Sequence, residues 1–426
     1  MSDLALALEF LTSQSTEGII RLFWFTIVFE IPRYALGFVA LGLAAASAER
    51  RTAWIRQASP VVRPTVSVVV VGHNEAGALD RCLRSLNEQT LPPTEVIIVS
   101  DGSSDGMAAV AARLVREGLA QHAFATDIRS GKSAGFNLAL HACRGDIVVN
   151  VDCDCSYDRF ALENIIAPFA HPDIGAVSGE LAPRNGAMSL IARLQEIEYL
   201  LSISVGRRVA AGLNLVSCIS GAFGAFRRTA VEQLGGCDVG GGEDLDLTLR
   251  LRGAGWRIAF APNATCYTDV PEQLWVLVRQ RLRWERDAIR LRCRKHWRIL
   301  TASGRHGGLA EPVHQWDFLV FELCATAVFP LYLIWLFSQI GGLALPVLIA
   351  MQLGLLLLDT AVIAVAALVV PRAIPLGSLL YVPGYSIYSG WVMRPVRLLA
   401  FMQEGFLFSS RLDNYVPAKV RLIRKW

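Results

Sequence analysis

Residues 65–72, TVSVVVVG, are an unbroken apolar run of strand length, the pattern of a strand buried on both faces. From there to about residue 180 the chain alternates strand and helix. A helix is predicted over 76–89, with Asn74 or Glu75 near its cap, and a second strand in EVIIVSDGSSDG, 95–106. AFATDI reads as a short third strand, KSAGFNLALHAC as a helix, DIVVNVD as a fourth strand and IGAVSGEL as a fifth. Strands separated by helices of this length imply right-handed crossovers, hence an α/β, Rossmann-like, largely parallel sheet.

Longer apolar runs flank this region. Residues 19–45 are long enough to span a bilayer, as are 318–340 and 343–370, while 374–393 is interrupted by VPGYSIYSGW. Without an A-x-A-like site after it, and with Arg50, Arg51 and Arg56 following, the first run reads as an uncleaved anchor with its N-terminus outside. Within it, Glu30 and Arg33 are expected either to pair at i, i+3 or to face a polar lumen. If all three C-terminal segments cross, Lys419, Arg421, Arg424 and Lys425 end outside, against the positive-inside tendency; segment 374–393 therefore either spans or re-enters. The division is a 1–50 membrane anchor, a 51–300 cytosolic domain with interfacial helices, and a 301–426 membrane region with a basic tail.

The chain has 426 residues, 53% of them hydrophobic, and a net charge of +4. No basic run is interleaved with aromatics, so nucleic acid is not an expected partner; basic residues beside the spans suit anionic lipid. Nine cysteines form no CxxC pair and read as reduced, buried thiols.

Open parallel sheets bind ligands beyond the carboxyl ends of their strands. His73, Asn74 and Glu75 follow the first strand, Asp101 ends the second, and Asp152 and Asp154 end the fourth. The alternative is a chance collection of turn carboxylates. A D-x-D pair at a strand end suits a magnesium or manganese ion shared with a diphosphate. Lys132 opens a predicted helix but no P-loop, because Gly131 has no glycine five residues earlier; it remains a candidate for a diphosphate or base contact.

In GGGEDLDLTLRLRGAGW, 240–256, glycines precede Glu243 and Asp244 at a helix start. A carboxylate there is either a general base or an answer to the helix dipole, and Asp246 is expected to cap the helix or face solvent. In RQRLRWERDAIR, Gln280, Arg283, Trp284 and Asp287 share a helical face. That face suits anions and sugar rings, or alternatively anionic lipid.

With these motifs in place, residues 66–290 resemble family 2 inverting glycosyltransferases of the GT-A fold. The flanking spans make the chain similar to the processive synthases of cellulose, hyaluronan, chitin oligosaccharide and poly-N-acetylglucosamine. SDGSSDG, DCD, SGAFGAFRR, GED and QRLRW carry the likeness, in that order; Ser100 stands where the family has a first aspartate. The resemblance implies a UDP-sugar donor, UDP-N-acetylglucosamine or UDP-glucose, contacted by Asp101, Gln280 and Arg283 and by Asp152 and Asp154, which would also hold the metal, Asp154 as the more direct ligand. Asn74, Glu75 and Lys132 join the donor side. Asp244 would be the base, and Glu243, Trp284, Ser220, Gly221 and Phe223 would bind a growing polysaccharide acceptor, with SGAFGAF as a lining loop.

The expected product is a β-linked polymer made at the inner membrane and passed through it. Glu30, Arg33, Trp316, Glu322, Tyr332, Trp335 and Tyr381 are lumen candidates, and export or accessory subunits are possible partners. A single-transfer enzyme acting on a lipid-linked acceptor is the rival within the family; a transporter with a nucleotide-binding regulatory domain is the rival outside it. Release of UDP separates enzyme from transporter, and product length separates polymerase from single transfer.

Overall fold

In strand β1 (Val66–Gly72) Val66, Val68 and Val70 pack into one hydrophobic core and Val69 and Val71 into another. This is why the run is apolar without alternation: both faces of the strand are covered. The computed structural model describes residues 3–39, 64–212, 215–300, 310–369 and 376–412. Arg50, Arg51, Arg56 and the basic tail residues Lys419, Arg421, Arg424 and Lys425 lie outside the described residues.

Seven further strands complete the sheet: β2 (Glu95–Asp101), β3 (His122–Thr126), β4 (Ile147–Asp152), β5 (Ser156–Tyr157), β6 (Ile174–Pro183), β7 (Phe223–Arg227) and β8 (Arg257–Thr268). Their order is β3-β2-β1-β4-β7-β6-β8-β5. The first core lies under helices Ala76–Asn87, Met107–Arg116 and Ala161–Ile166; the second lies under Lys132–Ala142, Arg228–Gln233 and Glu243–Gly253. The result is three layers, helix on sheet on helix.

The expectation of a largely parallel sheet holds only for its first half. β3, β2, β1 and β4 run parallel, but β7 is antiparallel to both β4 and β6, and β5 is antiparallel to β8; only β6 and β8 restore a parallel pair. The sheet is mixed. SGAFGAF is accordingly not a loop throughout: from Phe223 onward it is a strand. Gly224 fits there because a Cβ would sit 2.6 Å from Ile219 Cγ2 and 2.9 Å from the Ser220 carbonyl.

Helix Glu243–Gly253 is anchored by Asp246, which sequence placed at a cap or in solvent but which is 1% exposed. Lys295 Nζ lies 2.8 Å and His296 Nε2 2.7 Å from its Oδ1, and Arg250 3.6 Å from Oδ2. Burial works against this charge, yet the partners hold the carboxyl well below its usual range. A buried carboxylate so surrounded ties the helix to the 290–300 segment.

The apolar segments form a helical cluster with a core of its own, which also packs on the sheet domain where Ile363 and Val382 meet Ile197. One helical stretch, His314–Ala367, is long and apolar enough to cross a membrane by length and composition; Gly341, at φ +55, interrupts it between helices Ala325–Ile340 and Ala344–Val369. The N-terminal run is bent by 74° between Thr16–Leu22 and Thr26–Val39, and passes the same test only if the two pieces are one span. Leu22, Phe25 and Phe29 pack against Phe329, Tyr332 and Leu348. Segment 374–393 is described from 376 onward. Its helix Val382–Ile387 runs through 388–393 into Arg394–Leu407, which packs along helix Leu274–Ile289.

Glu30 and Arg33 do not pair with each other. Glu30 bonds Arg394, and Arg33 lies 3.1 Å from Glu322, whose other oxygen meets Arg397. Arg397 also bonds Glu285, at 3.0 Å, on the Leu274–Ile289 helix. Tyr332, a lumen candidate by sequence, has no exposed surface; its hydroxyl donates to the Leu22 carbonyl at 2.8 Å. Its ring stacks on Phe25.

Candidate functional site

Because β1, β2 and β4 are parallel, their carboxyl ends share one edge. Val71 pairs with Asp152 and Gly72 with Ser100, so the residues after β1, the end of β2 and the end of β4 converge as expected. Not all of them point their functional atoms into the cleft. Asp101 is 3% exposed, and its two carboxylate oxygens accept the backbone N–H groups of Ser130 at 2.7 Å and Gly131 at 2.6 Å. It holds the turn that starts the Lys132–Ala142 helix. Gly102 follows at φ +60, where a Cβ would lie 2.3 Å from the Arg129 nitrogen; only glycine fits this approach. Asn74, also at positive φ, accepts the Ser104 N–H at 2.8 Å and donates its own N–H to Ser103 Oγ at 3.1 Å. It welds the β1 loop to the SDGSSDG turn.

Asp152 ends β4 and Asp154 follows in a tight turn closed by the Cys155 N–H on the Asp152 carbonyl at 3.3 Å; both aspartates stay part-exposed, while Val151, Cys153 and Cys155 are buried. Ligand atoms of Asp152, Asp154 and Cys155 lie within 4.8 Å of one another. At an effective dielectric of about 20, two carboxylate charges at that spacing repel by about 3–4 kcal/mol. Burial and the Asp152 charge raise the pKa of Asp154. Burial, Asp154 and Asp152 push Glu75 up to about 7. Cys155 offers no thiolate: contact with Cys266 and burial push its thiol far above the usual range, and its S–H donates to Asp154 Oδ1 at 3.3 Å. The donor set is therefore carboxylate oxygen, which fits a hard divalent cation such as magnesium or manganese. Arg184, which sequence did not single out, steadies the turn by donating to the Asp154 carbonyl at 3.0 Å while paired with Asp269 at 2.5 Å.

Lys132 is the cation of this edge. Its Nζ bonds Asp152 and donates to the Gly221 carbonyl at 2.7 Å. Burial opposes its charge, but Asp152 and Glu243 outweigh burial and raise its pKa. The Gly221 carbonyl also accepts from Asn150 Nδ2 at 2.9 Å. Asn150 was missed; its signal is one amide inside an otherwise apolar strand, VVNVD.

Gly221 is where the donor edge meets the candidate base. A Cβ on it would lie 3.3 Å from Lys132 Nζ, 3.4 Å from Asp244 Oδ2 and 3.6 Å from Glu243 Oε1. Thr248 fixes this approach, accepting the Ile219 N–H at 2.9 Å and donating to the Asp244 carbonyl at 2.5 Å. Burial and the adjacent Asp244 charge push Glu243 up to about 7. Ser220 is 5% exposed, its N–H bonded to Ser178 Oγ at 3.2 Å. Phe223, expected to line the acceptor site, is wholly buried against Tyr157, with ring centres 4.9 Å apart; it is core.

The 274–289 helix closes the other side. Arg290, just beyond its end, donates to the Gly241 carbonyl at 2.7 Å and pairs with Asp287 at 2.8 Å, so the helix clamps the glycine turn ahead of Glu243. Gln280 is half-buried, Arg283 is exposed, and Trp284 is 41% exposed with the Arg281 guanidinium 4.4 Å from its ring centre.

Comparison with known proteins gives a family match: the model described as "Glycosyltransferase like family 2" covers residues 64–286. An N-acetylglucosaminyltransferase of Rhizobium meliloti (strain 1021) is 30% identical over 239 residues, 53% of this chain and 56% of that protein. A poly-beta-1,6-N-acetyl-D-glucosamine synthase of Staphylococcus aureus (strain MSSA476) is 29% identical over 293 residues, 68% of this chain and 64% of that protein. The chain thus spans less than two thirds of the length of either relative. Among solved structures, the mannosyltransferase PcManGT from Pyrobaculum calidifontis, in complex with GDP-Man and Mn2+, matches 87% of this chain and 99% of its own. Its TM-score is 0.55 at 22% identity, a likeness of fold.

Two outcomes follow from this geometry. Catalytic turnover is expected to stop on dialysis against EDTA and to return with magnesium or manganese, and Asp154→Ala is expected to lose far more activity than Cys153→Ala, whose buried thiol adds no ligand atom to the acidic cluster. Full turnover after EDTA contradicts this. The second outcome concerns stability. Glu243 is pushed up to about 7 in the folded protein from the ordinary 4.5 of a glutamate side chain, so between these values the native state binds the proton that the unfolded state has released. That contribution destabilises the fold as pH rises. In metal-free protein, Glu243→Gln is expected to melt near wild type at pH 5 and above it at pH 8; a Tm difference independent of pH contradicts the assignment.

Proposed function

Because the chain belongs to glycosyltransferase-like family 2, we propose that this glycosyltransferase makes a β-linked polysaccharide by repeated inverting transfer from a UDP-sugar, UDP-N-acetylglucosamine before UDP-glucose. The observation that carries this reading is the meeting at Gly221 of Lys132, itself paired with Asp152, with the two carboxylates of Glu243 and Asp244. A diphosphate-binding edge and a proton acceptor within one cleft are what sugar transfer from a nucleotide donor requires. The names of the bacterial relatives favour N-acetylglucosamine as the sugar.

Asp152 and Asp154 would hold the divalent ion, which when bound supplies positive charge against the donor diphosphate. Asp101 and Asn74 shape the nucleotide end through the turns they hold. Asp244 takes the proton of the acceptor hydroxyl as that oxygen attacks the anomeric carbon from the face opposite UDP. The bond to UDP breaks, its electron pair leaves with the diphosphate, and Lys132 and Arg283 meet the charge that develops there. One inversion of an α-linked donor gives a β-linkage. Glu243, its carboxyl pushed up to about 7 by burial and by the adjacent Asp244 charge, contacts the acceptor beside Ser220 and Gly221. Trp284 stacks on the acceptor ring, and Gln280 completes the donor side.

Asp244→Asn preserves shape and removes the base. UDP-sugar binding is expected to persist while transfer falls about 10²–10⁴-fold. Near-normal transfer by Asp244→Asn, with loss in Glu243→Gln, moves the role to Glu243.

The same reading puts the enzyme in the inner membrane, held by an anchor over 1–50 and a region over 301–426, with the 51–300 catalytic domain cytosolic. The apolar His314–Ala367 stretch and the bent N-terminal pair support it. Synthesis and translocation are then coupled in one chain. In sealed vesicles with the catalytic domain outward, radiolabelled product is expected to become resistant to added glycosidase; product that stays digestible assigns export to a separate protein.

A further inference from the structure

Trp284 is not a free platform. The guanidinium of Arg281, itself 9% exposed, lies over the indole at 4.4 Å from the ring centre. One π-face is thereby occupied by a cation, and the side chain remains 41% exposed. Arg281 is fixed in turn: its Nη2 donates to Glu198 Oε2 at 2.8 Å. The same oxygen accepts the hydroxyl of Tyr388 at 3.0 Å, and Tyr388 is buried. Glu198 stands on helix Leu190–Tyr199, Arg281 on Leu274–Ile289 and Tyr388 at the end of Val382–Ile387. Leu194, Leu277 and Tyr388 form a small core where these three elements meet, so the polar contacts sit on a packed junction.

A guanidinium attracts the negative face of an indole, and the attraction is strongest where water is excluded. A planar fork held by a carboxylate has one orientation, unlike an ammonium on a flexible stem. We propose that Tyr388, Glu198 and Arg281 are positioning residues that fix the plane of the Trp284 ring, leaving it one face for an acceptor sugar, and that they couple this face to the C-terminal apolar segment. The acceptor role of Trp284 is taken from the proposed function. The fixing of its ring by the three residues is independent of that role. Tyr388 carries the longest reach, because it lets a displacement of the 382–393 segment alter how the acceptor is held.

The test uses full-length protein in detergent, labelled with 5-fluorotryptophan. The Trp284 resonance is assigned by its disappearance in Trp284→Phe. Tyr388→Phe deletes one hydroxyl, and Arg281→Lys keeps the charge but loses the fork. Both are expected to shift or broaden the Trp284 fluorine signal in ligand-free protein. With UDP-N-acetylglucosamine as donor and chitotetraose as acceptor probe, both are expected to raise the acceptor KM about tenfold, as for loss of a charge-assisted hydrogen bond, and to leave the donor KM unchanged within about twofold. A Trp284 signal unchanged in both variants overturns the relay. A shifted signal with an acceptor KM unchanged even in Trp284→Ala keeps the fixed ring and overturns the acceptor reading. Equal rises in donor and acceptor KM indicate general disruption and overturn the specific coupling.

Discussion

The site depends on an excess of negative charge that the protein does not neutralise by itself. Asp152 and Asp154 are brought together by the tight turn that ends β4, and Glu75, Glu243 and Asp244 approach the same cleft from other elements. Lys132 answers Asp152 and no other cation is bonded to the Asp154 carboxylate in the described contacts. Burial first, and then the neighbouring carboxylates, raise the pKa values of Glu75, Asp154 and Glu243. Such an arrangement is stable where a cation and an anionic ligand arrive together, and it explains why the surrounding backbone is so firmly braced. Asp101 holds the turn before Lys132, Arg184 the turn after Asp152, Thr248 the approach of Gly221, and Arg290 the glycine turn before Glu243.

Much of this was legible from the residues. Valines interrupted only by Ser67 announced burial of β1 on both faces, and parallel strands put Asp101 and Asp152 at one edge. What stayed hidden was set by tertiary context. Strand β7 carries glycine and alanine where strands usually carry branched residues, because its neighbours approach too closely for a side chain at Gly224; locally it reads as a loop. For the same reason Phe223 looked like cleft lining and is core. Asp246 follows Asp244 at the start of a helix, where a carboxylate normally answers the dipole, and its partners Lys295 and His296 lie about fifty residues on. Asp101 was correctly placed at the edge, yet its carboxylate is taken by backbone amides that no side-chain pattern records.

Charges in the apolar helices show the same limit. Spacing offered Glu30 the nearby Arg33. The fold gives each a distant partner, and links Arg33, Glu322, Arg397 and Glu285 in one chain of ion pairs that ends beside Trp284 in sequence. These charges bridge elements that would otherwise meet only through apolar packing, so the helix carrying Gln280, Arg283 and Trp284 is tied to both the N-terminal and C-terminal apolar segments.

The central claim, that the acidic edge is completed by a divalent cation shared with a nucleoside diphosphate, is most directly tested by calorimetric titration of the purified full chain with manganese and UDP, separately and together. The account predicts mutual reinforcement: each binds at least about tenfold more tightly when the other is saturating, a coupling of about 1.4 kcal/mol or more. UDP affinity that is the same with and without manganese would contradict it.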